Sequence, residues 1–496
     1  MRKKALVLLM AVLMAAPNSF GTVTYADENS DDTIVLRVCN WEEYIDEGEW
    51  EEEVDLSEDN VIIGENSMVD DFQDWYYDTY GKKVKVEYST FGTNEDLFNQ
   101  LNLGDTYDLA CPSEYMIMKL LAKDELVPYD DSFFDESDEY NYYAKGVSPY
   151  INEVFFSNEI DGKKWGDYAA GYMWGTTGIV YNPEEVSSED ASSWSILQNK
   201  DYRCRVTIKD NVRDSYFAGL GILMADKLLD EDFKKSPNYR EELLDTMNDV
   251  SKETIDEVEK ILKDIKGNVY AFETDAGKSD MVTGKIVANY QWSGDAVYTL
   301  DQAEEDGMYF NYAVPKESTN LWFDGWIMLK DGINGDENKK HAAQAFVNFL
   351  SRPDNVVRNM YYIGYTSAIA GGDDSTVFDY VNWCYSSEEE EGTIEYNLDY
   401  FFSGEDTGEY VVIADESQAN RQLFAQYPPA EVIERSAVML YFDDDVSVDI
   451  NQMWINVRCY NLDSMPTVAK IVFLAGILFV VGYFIKIIYN GKRKYN

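Results

Sequence analysis

The sequence predicts an α/β protein whose body is exported, with a signal segment at its N-terminus and a transmembrane helix at its C-terminus. Three observations predict it. Strand-like and helix-like segments alternate from residue 33 onward, the pattern of a mostly parallel sheet covered by helices. Every Asp and Glu lies between Asp27 and Asp463. The two ends outside that stretch are apolar and basic.

The charge excludes several functions. The 496 residues include 93 Asp or Glu and 41 Lys or Arg, for a net charge of −52. Eight of the basic residues, Arg2, Lys3, Lys4, Lys470, Lys486, Lys492, Arg493 and Lys494, sit in the two ends. A body this acidic lacks the basic surface that displaces counterions from a phosphate backbone, so no nucleic-acid partner is expected. Whole-chain disorder is excluded by 45% apolar and 15% aromatic residues, which bury a large core. With His341 as the single histidine, His-rich zinc sites are excluded and any Ser-His-Asp or Cys-His reaction would rest on that residue. The five cysteines, Cys39, Cys111, Cys204, Cys384 and Cys459, are odd in number and form no CxxC, so they make neither a zinc site nor a disulfide framework. Cys39 and Cys111 each end a strand-like run. They are either a disulfide between neighbouring strands or two small buried thiols.

The ends specify topology. Arg2-Lys3-Lys4 precedes the apolar run 5–16, and we read residues 1–26 as a signal peptide with small residues for cleavage near Gly21 or Ala26. Residues 468–488 are apolar except for Lys470 and Lys486. About 20 residues at 1.5 Å each span a bilayer core, and lysines near the ends of such a run snorkel to the interface. The basic tail 489–496 is cytoplasmic by the positive-inside rule, which places the body outside.

Within the body, 33–39 reads as a buried strand, and 70–80 as a helix ending at Gly81. Residues 83–88 alternate as a strand, and 94–103 read as a helix started by Asn94. A short strand at 107–110 and a helix at 113–122 follow. Further on come a strand at 178–181, a helix opened by Ser193-Trp194, and a strand at 205–208. After Asp210–Asp214 an apolar helix runs to Leu223. An amphipathic helix covers 253–265, a strand 286–291 ends at Trp292, the run 322–329 is apolar, and the helix 342–350 stops near Pro353. The acidic stretches between Asp46 and Asp70, beginning with Asp46 itself, and at Ser386–Glu391 read as exposed loops. Ligands of such folds sit at the carboxyl ends of strands, here near Trp41, Glu43 and Ser113.

Motifs in order carry a resemblance. They are Asn40-Trp41-Glu42-Glu43-Tyr44-Ile45, Thr93-Asn94-Glu95, Tyr107-Asp108-Leu109 and Pro112-Ser113-Glu114-Tyr115. After them come Trp174-Gly175-Thr176-Thr177-Gly178, Ser193-Trp194, Asp210–Asp214, Trp292-Ser293-Gly294-Asp295, Trp322-Phe323-Asp324 and Ile363-Gly364-Tyr365. The set resembles the spermidine/putrescine-binding proteins of bacterial ABC transporters, over about residues 33 to 370. The resemblance implies a two-lobed, type II periplasmic-binding-protein fold that holds a polyamine between its lobes. Lobe 1 would comprise 33–170 with a return at 319–366, and lobe 2 would comprise 171–318 with a return at 367–463 that carries insertions. It implies ligand contacts at Trp41, Glu43, Tyr44, Ser113, Tyr115, Asn211, Asp214, Trp292, Asp295, Trp322, Asp324 and Tyr365, with a last one near Asp443. Asp295 matches an aspartate of putrescine-preferring members. The implied partners are putrescine or spermidine, the ABC permease and ATPase, and the membrane through the C-terminal helix. No lipobox cysteine is present; that helix would replace the lipid anchor.

The residue types suit this ligand independently. A polyamine is an apolar chain carrying ammonium groups. A desolvated ammonium needs a carboxylate. Each buried methylene contributes roughly 0.8 kcal/mol, and aromatic faces attract the cation as well. The set supplies Trp41, Tyr44, Trp292, Trp322 and Tyr365 with Glu43, Asp214, Asp295 and Asp324, and of basic residues only Arg213, which disfavours anionic ligands. No cofactor, no metal and no reaction on the ligand are expected. The alternatives are an extracellular glycoside hydrolase using carboxylates such as Asp214 and Asp324, and a polyamine sensor.

Overall fold

The computed structural model describes residues 33–50, 53–56, 61–389 and 391–459. The expectations for 1–26, 468–488 and 489–496 lie outside these residues. Among the described residues no helix is long and apolar enough to cross a membrane.

The first half of the sheet follows the predicted alternation. Strand Ile34–Trp41 runs parallel to Val84–Phe91 along its whole length, and to Leu109–Ala110. Helices Met68–Tyr80, Asn94–Leu103 and Glu114–Ala122 alternate with these strands. The side chains of Ser67 and Thr93 accept from the amides of Asp70 and Asp96, first-turn donors for which an α-helix supplies no carbonyl four residues back. Thr93 rather than Asn94 is therefore the cap, and Asn94 turns its amide into the site described below. The first two helices end at Gly81 and Gly104 in left-handed backbone, which costs glycine least.

The second half repeats the scheme. Val206–Lys209 is parallel to both Ala271–Glu273 and Ala288–Trp292. Two long strands join the halves. Ala169–Tyr181 pairs antiparallel with Ala288–Trp292 on one side and Leu321–Leu329 on the other, and Leu321–Leu329 continues to Leu109–Ala110. The expected strand at 178–181 is thus the end of a much longer one. Every residue of both joining strands is buried. Strands covered on both faces are built from unbroken apolar runs, not alternating ones. The amphipathic helix predicted at 253–265 is observed as Lys252–Lys266, and Ser193 caps a short 3-10 helix, Trp194–Gln198.

In the acidic stretch between Asp46 and Asp70, Glu47, Glu49, Glu53 and Asp55 are exposed as expected, and Asp46 departs from that expectation. Asp46 is fully buried and ion-paired with Arg358. Its Oδ1 accepts from Gly48 N at 2.8 Å and Trp50 Nε1 at 2.9 Å, and Val54–Asp55 pairs with Val61–Ile62 as a small hairpin. The countercharge and donors offset the cost of burying this carboxylate. In the second stretch Ser386, Glu388, Glu389 and Glu391 are exposed, as expected. Cys39 and Cys111 do lie on neighbouring backbone, with Cys111 N donating to Cys39 O at 3.1 Å, and both are free buried thiols. His341 pairs its Nδ1 with Tyr76 Oη at 3.0 Å, between core helices.

Candidate functional site

The carboxyl ends of the parallel strands of both halves converge on one constellation. Asp324 stands on the joining strand Leu321–Leu329, where pairing with Ala169–Tyr181 slips between Asp324 and Gly325. Such an irregularity re-aims a side chain. Asp324 Oδ2 accepts from Tyr44 Oη at 2.8 Å, and Oδ1 from Ser113 Oγ at 2.7 Å. Asn94 Nδ2 reaches Ser113 Oγ at 3.1 Å and Tyr115 Oη at 3.0 Å. Asp324 is 6% exposed. Burial pushes its carboxyl up to about 6, against the pull of the Ser113 and Tyr44 hydrogen bonds. Beside it, Glu114 accepts from Phe323 N at 3.0 Å, and burial raises it to about 8.

The second half contributes a different environment. Asp214, in the first turn of helix Val212–Leu223, is pushed up to about 6 by burial, with Lys209 and a hydrogen bond from Trp292 acting against it. Asp295, in the first turn of Ser293–Glu305, lies 3.5 Å from Lys209 Nζ and 3.2 Å from Lys278 Nζ. Burial opposes its ionisation, but those two ammonium groups overcome burial and hold it below the ordinary aspartate range. Lys209 Nζ sits 3.7 Å from the centroid of the Trp292 ring and donates to Thr274 O at 3.0 Å. Neither Asp324 nor Asp214 forms an ion pair with Lys or Arg among the described residues.

Aromatic rings connect the two ends. Tyr365 meets Tyr44 edge-on at 5.0 Å and Trp322 at 5.8 Å, and its hydroxyl donates to Asp295 at 3.1 Å. Gly294 lets that ring lie against the helix start, since a Cβ there would fall 2.4 Å from it. Arg213 lies across the rings of Tyr115 at 4.4 Å and Phe442 at 3.6 Å and donates to Leu440 O, so it ties the halves together.

The structure therefore brings together Tyr44, Ser113, Tyr115, Asp214, Trp292, Asp295, Trp322, Asp324 and Tyr365. Trp41 packs on Phe91 at 4.6 Å, and its buried Nε1 has no hydrogen-bond acceptor among the described residues. Glu43 stands apart, exposed and in left-handed backbone with φ of 53°. Asn211 spends its side-chain oxygen as a helix cap, accepting from the amides of Arg213 at 2.7 Å and Asp214 at 3.3 Å. Asn211→Ala is expected to destabilise the fold by about 1 kcal/mol, read as a lower urea midpoint, whereas Asn211→Asp keeps the cap. Asp443 likewise caps the helix Asp444–Arg458.

Lys209 and Lys278 were missed, and with them the expectation that Arg213 is the site's only basic residue is corrected. Lys209 carried a signal, since it ends the strand directly before Asp210–Asp214. Lys278 carried none. Two open surface hollows of about 500 Å³ each, near Asp331–Asp336 and near Glu395–Asp406, involve none of these residues.

Comparison with known proteins agrees with this architecture. Residues 67–379 match the family described as bacterial extracellular solute-binding protein. The chain is 27% identical over 298 residues to the putrescine-binding periplasmic protein PotF of Escherichia coli, covering 58% of this chain and 71% of that one. It is 24% identical over 339 residues to the spermidine/putrescine-binding periplasmic protein of Escherichia coli, covering 68% of this chain and 78% of that one. The crystal structure of the spermidine/putrescine ABC transporter substrate-binding protein PotD from Streptococcus pneumoniae superposes with a TM-score of 0.54 at 23% identity, over 86% of this chain and 98% of that one. The shared fold is the two-lobed α/β fold of periplasmic binding proteins, with the joining strands Ala169–Tyr181 and Leu321–Leu329 at its centre. With more than half its length matched, the chain belongs to the bacterial extracellular solute-binding protein family.

Proposed function

We propose that this protein captures putrescine or spermidine outside the cytoplasm and delivers it to an ABC permease for import. The observation that carries the reading is Asp324. This buried carboxylate has no ion pair with Lys or Arg among the described residues and is held by Tyr44 and Ser113, and the ring of Tyr365 lies against those of Tyr44 and Trp322. An ammonium group supplies the missing charge, and the rings suit the methylenes. The relatives named for putrescine and spermidine binding support the same ligand class. The lobes would close on the ligand about the joining strands, with no reaction performed on it. The basic, apolar start 1–26 and the apolar run 468–488 support a body held at the outer face of the membrane by its C-terminus, with 489–496 inside.

Calorimetry of the purified body with putrescine, spermidine and an uncharged sugar tests the reading. Binding of at least one polyamine well below about 1 mM, with none of the sugar, is the expected result. Absence of polyamine binding in that range contradicts it.

A further inference from the structure

Asp295 is not available in the way Asp324 is. Lys209, fully buried at the end of strand Val206–Lys209, places its ammonium on the Trp292 face at 3.7 Å and 3.5 Å from Asp295. Lys278 approaches from helix Ala276–Val282 to 3.2 Å of the same carboxylate. An ammonium over an indole and against a carboxylate is the arrangement a bound amine would adopt. Glu273, the register partner of Lys209 on the neighbouring strand, is a second carboxylate on which Lys209 acts. Asp295 therefore already faces two ammonium groups of the chain itself, Lys209 and Lys278. Asp324, by contrast, has no ion pair with Lys or Arg among the described residues, and Asp214, although drawn down by Lys209 and Arg213, forms none either. Arg213, the nearest guanidinium, is committed to Tyr115, Phe442 and the carbonyl of Leu440.

We infer that Lys209 and Lys278 are specificity-determining residues: they fill the ammonium position made by Asp295 and Trp292, and so restrict the ligand to a diamine. The inference rests on the polyamine reading and narrows it. Asp324 and Asp214, the two carboxylates without an ion pair to Lys or Arg among the described residues, accommodate two ammonium groups. A third ammonium must either displace Lys278 or be buried without a carboxylate, and an unpaired buried charge is very costly. Lys278 is the displaceable member. Its Nζ also lies 3.5 Å from the exposed Asp275, towards which it can retreat. Lys209 has no such exit.

The test is calorimetry with putrescine and spermidine on the wild-type protein, Lys278→Gln and Lys209→Met. The wild type is expected to bind putrescine at least about tenfold more tightly than spermidine, and Lys278→Gln to shift that ratio towards spermidine by about tenfold or more. Lys209→Met should shift it the same way. Lys278 is only partly buried on a short helix, so its variant keeps the question answerable if Lys209→Met does not fold. A wild type that prefers spermidine overturns the inference while leaving polyamine binding intact. So does a ratio that Lys278→Gln leaves unchanged. A wild type that binds neither amine removes the polyamine reading itself.

Discussion

Asp324→Asn is expected to weaken putrescine binding by about 2–4 kcal/mol, roughly thirtyfold to a thousandfold. The substitution keeps size and shape. An asparagine oxygen still accepts from Ser113, and the Tyr44 hydroxyl can turn to accept from the new amide, so the two hydrogen bonds at 2.7 and 2.8 Å need not be lost. What disappears is the negative charge that a buried ammonium requires. Without ligand the variant should be at least as stable as the wild type, because burial already disfavours the ionised form of Asp324. Calorimetry and thermal melting on the same sample separate the two effects. Unchanged affinity would remove Asp324 from the site.

Putrescine affinity is expected to fall on acidification from pH 7.5 to 5, on the order of tenfold for each of two carboxylates. Asp324 and Asp214 are both raised to about 6 in the folded, ligand-free protein, and each must lose its proton to pair with an ammonium. The amine stays charged throughout this range. Asp295, held below the ordinary range by Lys209 and Lys278, adds no dependence there. The linkage to folding has the opposite sign. For a carboxyl raised on folding, the folded state binds more protons than the unfolded state between the two values. Its contribution to ligand-free stability is therefore present at low pH and lost as pH rises through about 6. Ligand and proton compete, so the melting-temperature increase given by saturating putrescine should be larger at pH 7.5 than at pH 5. An increase independent of pH would show that neither Asp324 nor Asp214 meets the ligand.

Much of this site is legible along the chain, because strand ends are local features. Trp41, Ser113 and Trp292 each follow a recognisable strand, and the sheet delivers those ends to one edge. The motif order identifies the rest of the aromatic set. Partnerships are not local. Lys209 meets Asp295 because Val206–Lys209 lies beside Ala288–Trp292, and nothing in either segment alone announces the pair. Asp46 looked like one more solvated acid in an acidic run, yet its partner Arg358 stands 312 positions away. Asn211 was legible in another sense. An asparagine directly before an apolar helix is a cap by ordinary rules, and the structure uses it as one. Glu43 stands outside the constellation, exposed and in left-handed backbone, while the next residue, Tyr44, is buried within it.

The measurement that bears most directly on the central claim is a crystal structure of the protein with putrescine bound. One ammonium of the diamine is expected within hydrogen-bonding distance of Asp324, the methylenes along Tyr365 and Trp322, and the second ammonium towards Asp214, with Lys209 still on Trp292. Putrescine located elsewhere, with Asp324 holding only Tyr44 and Ser113, would contradict it.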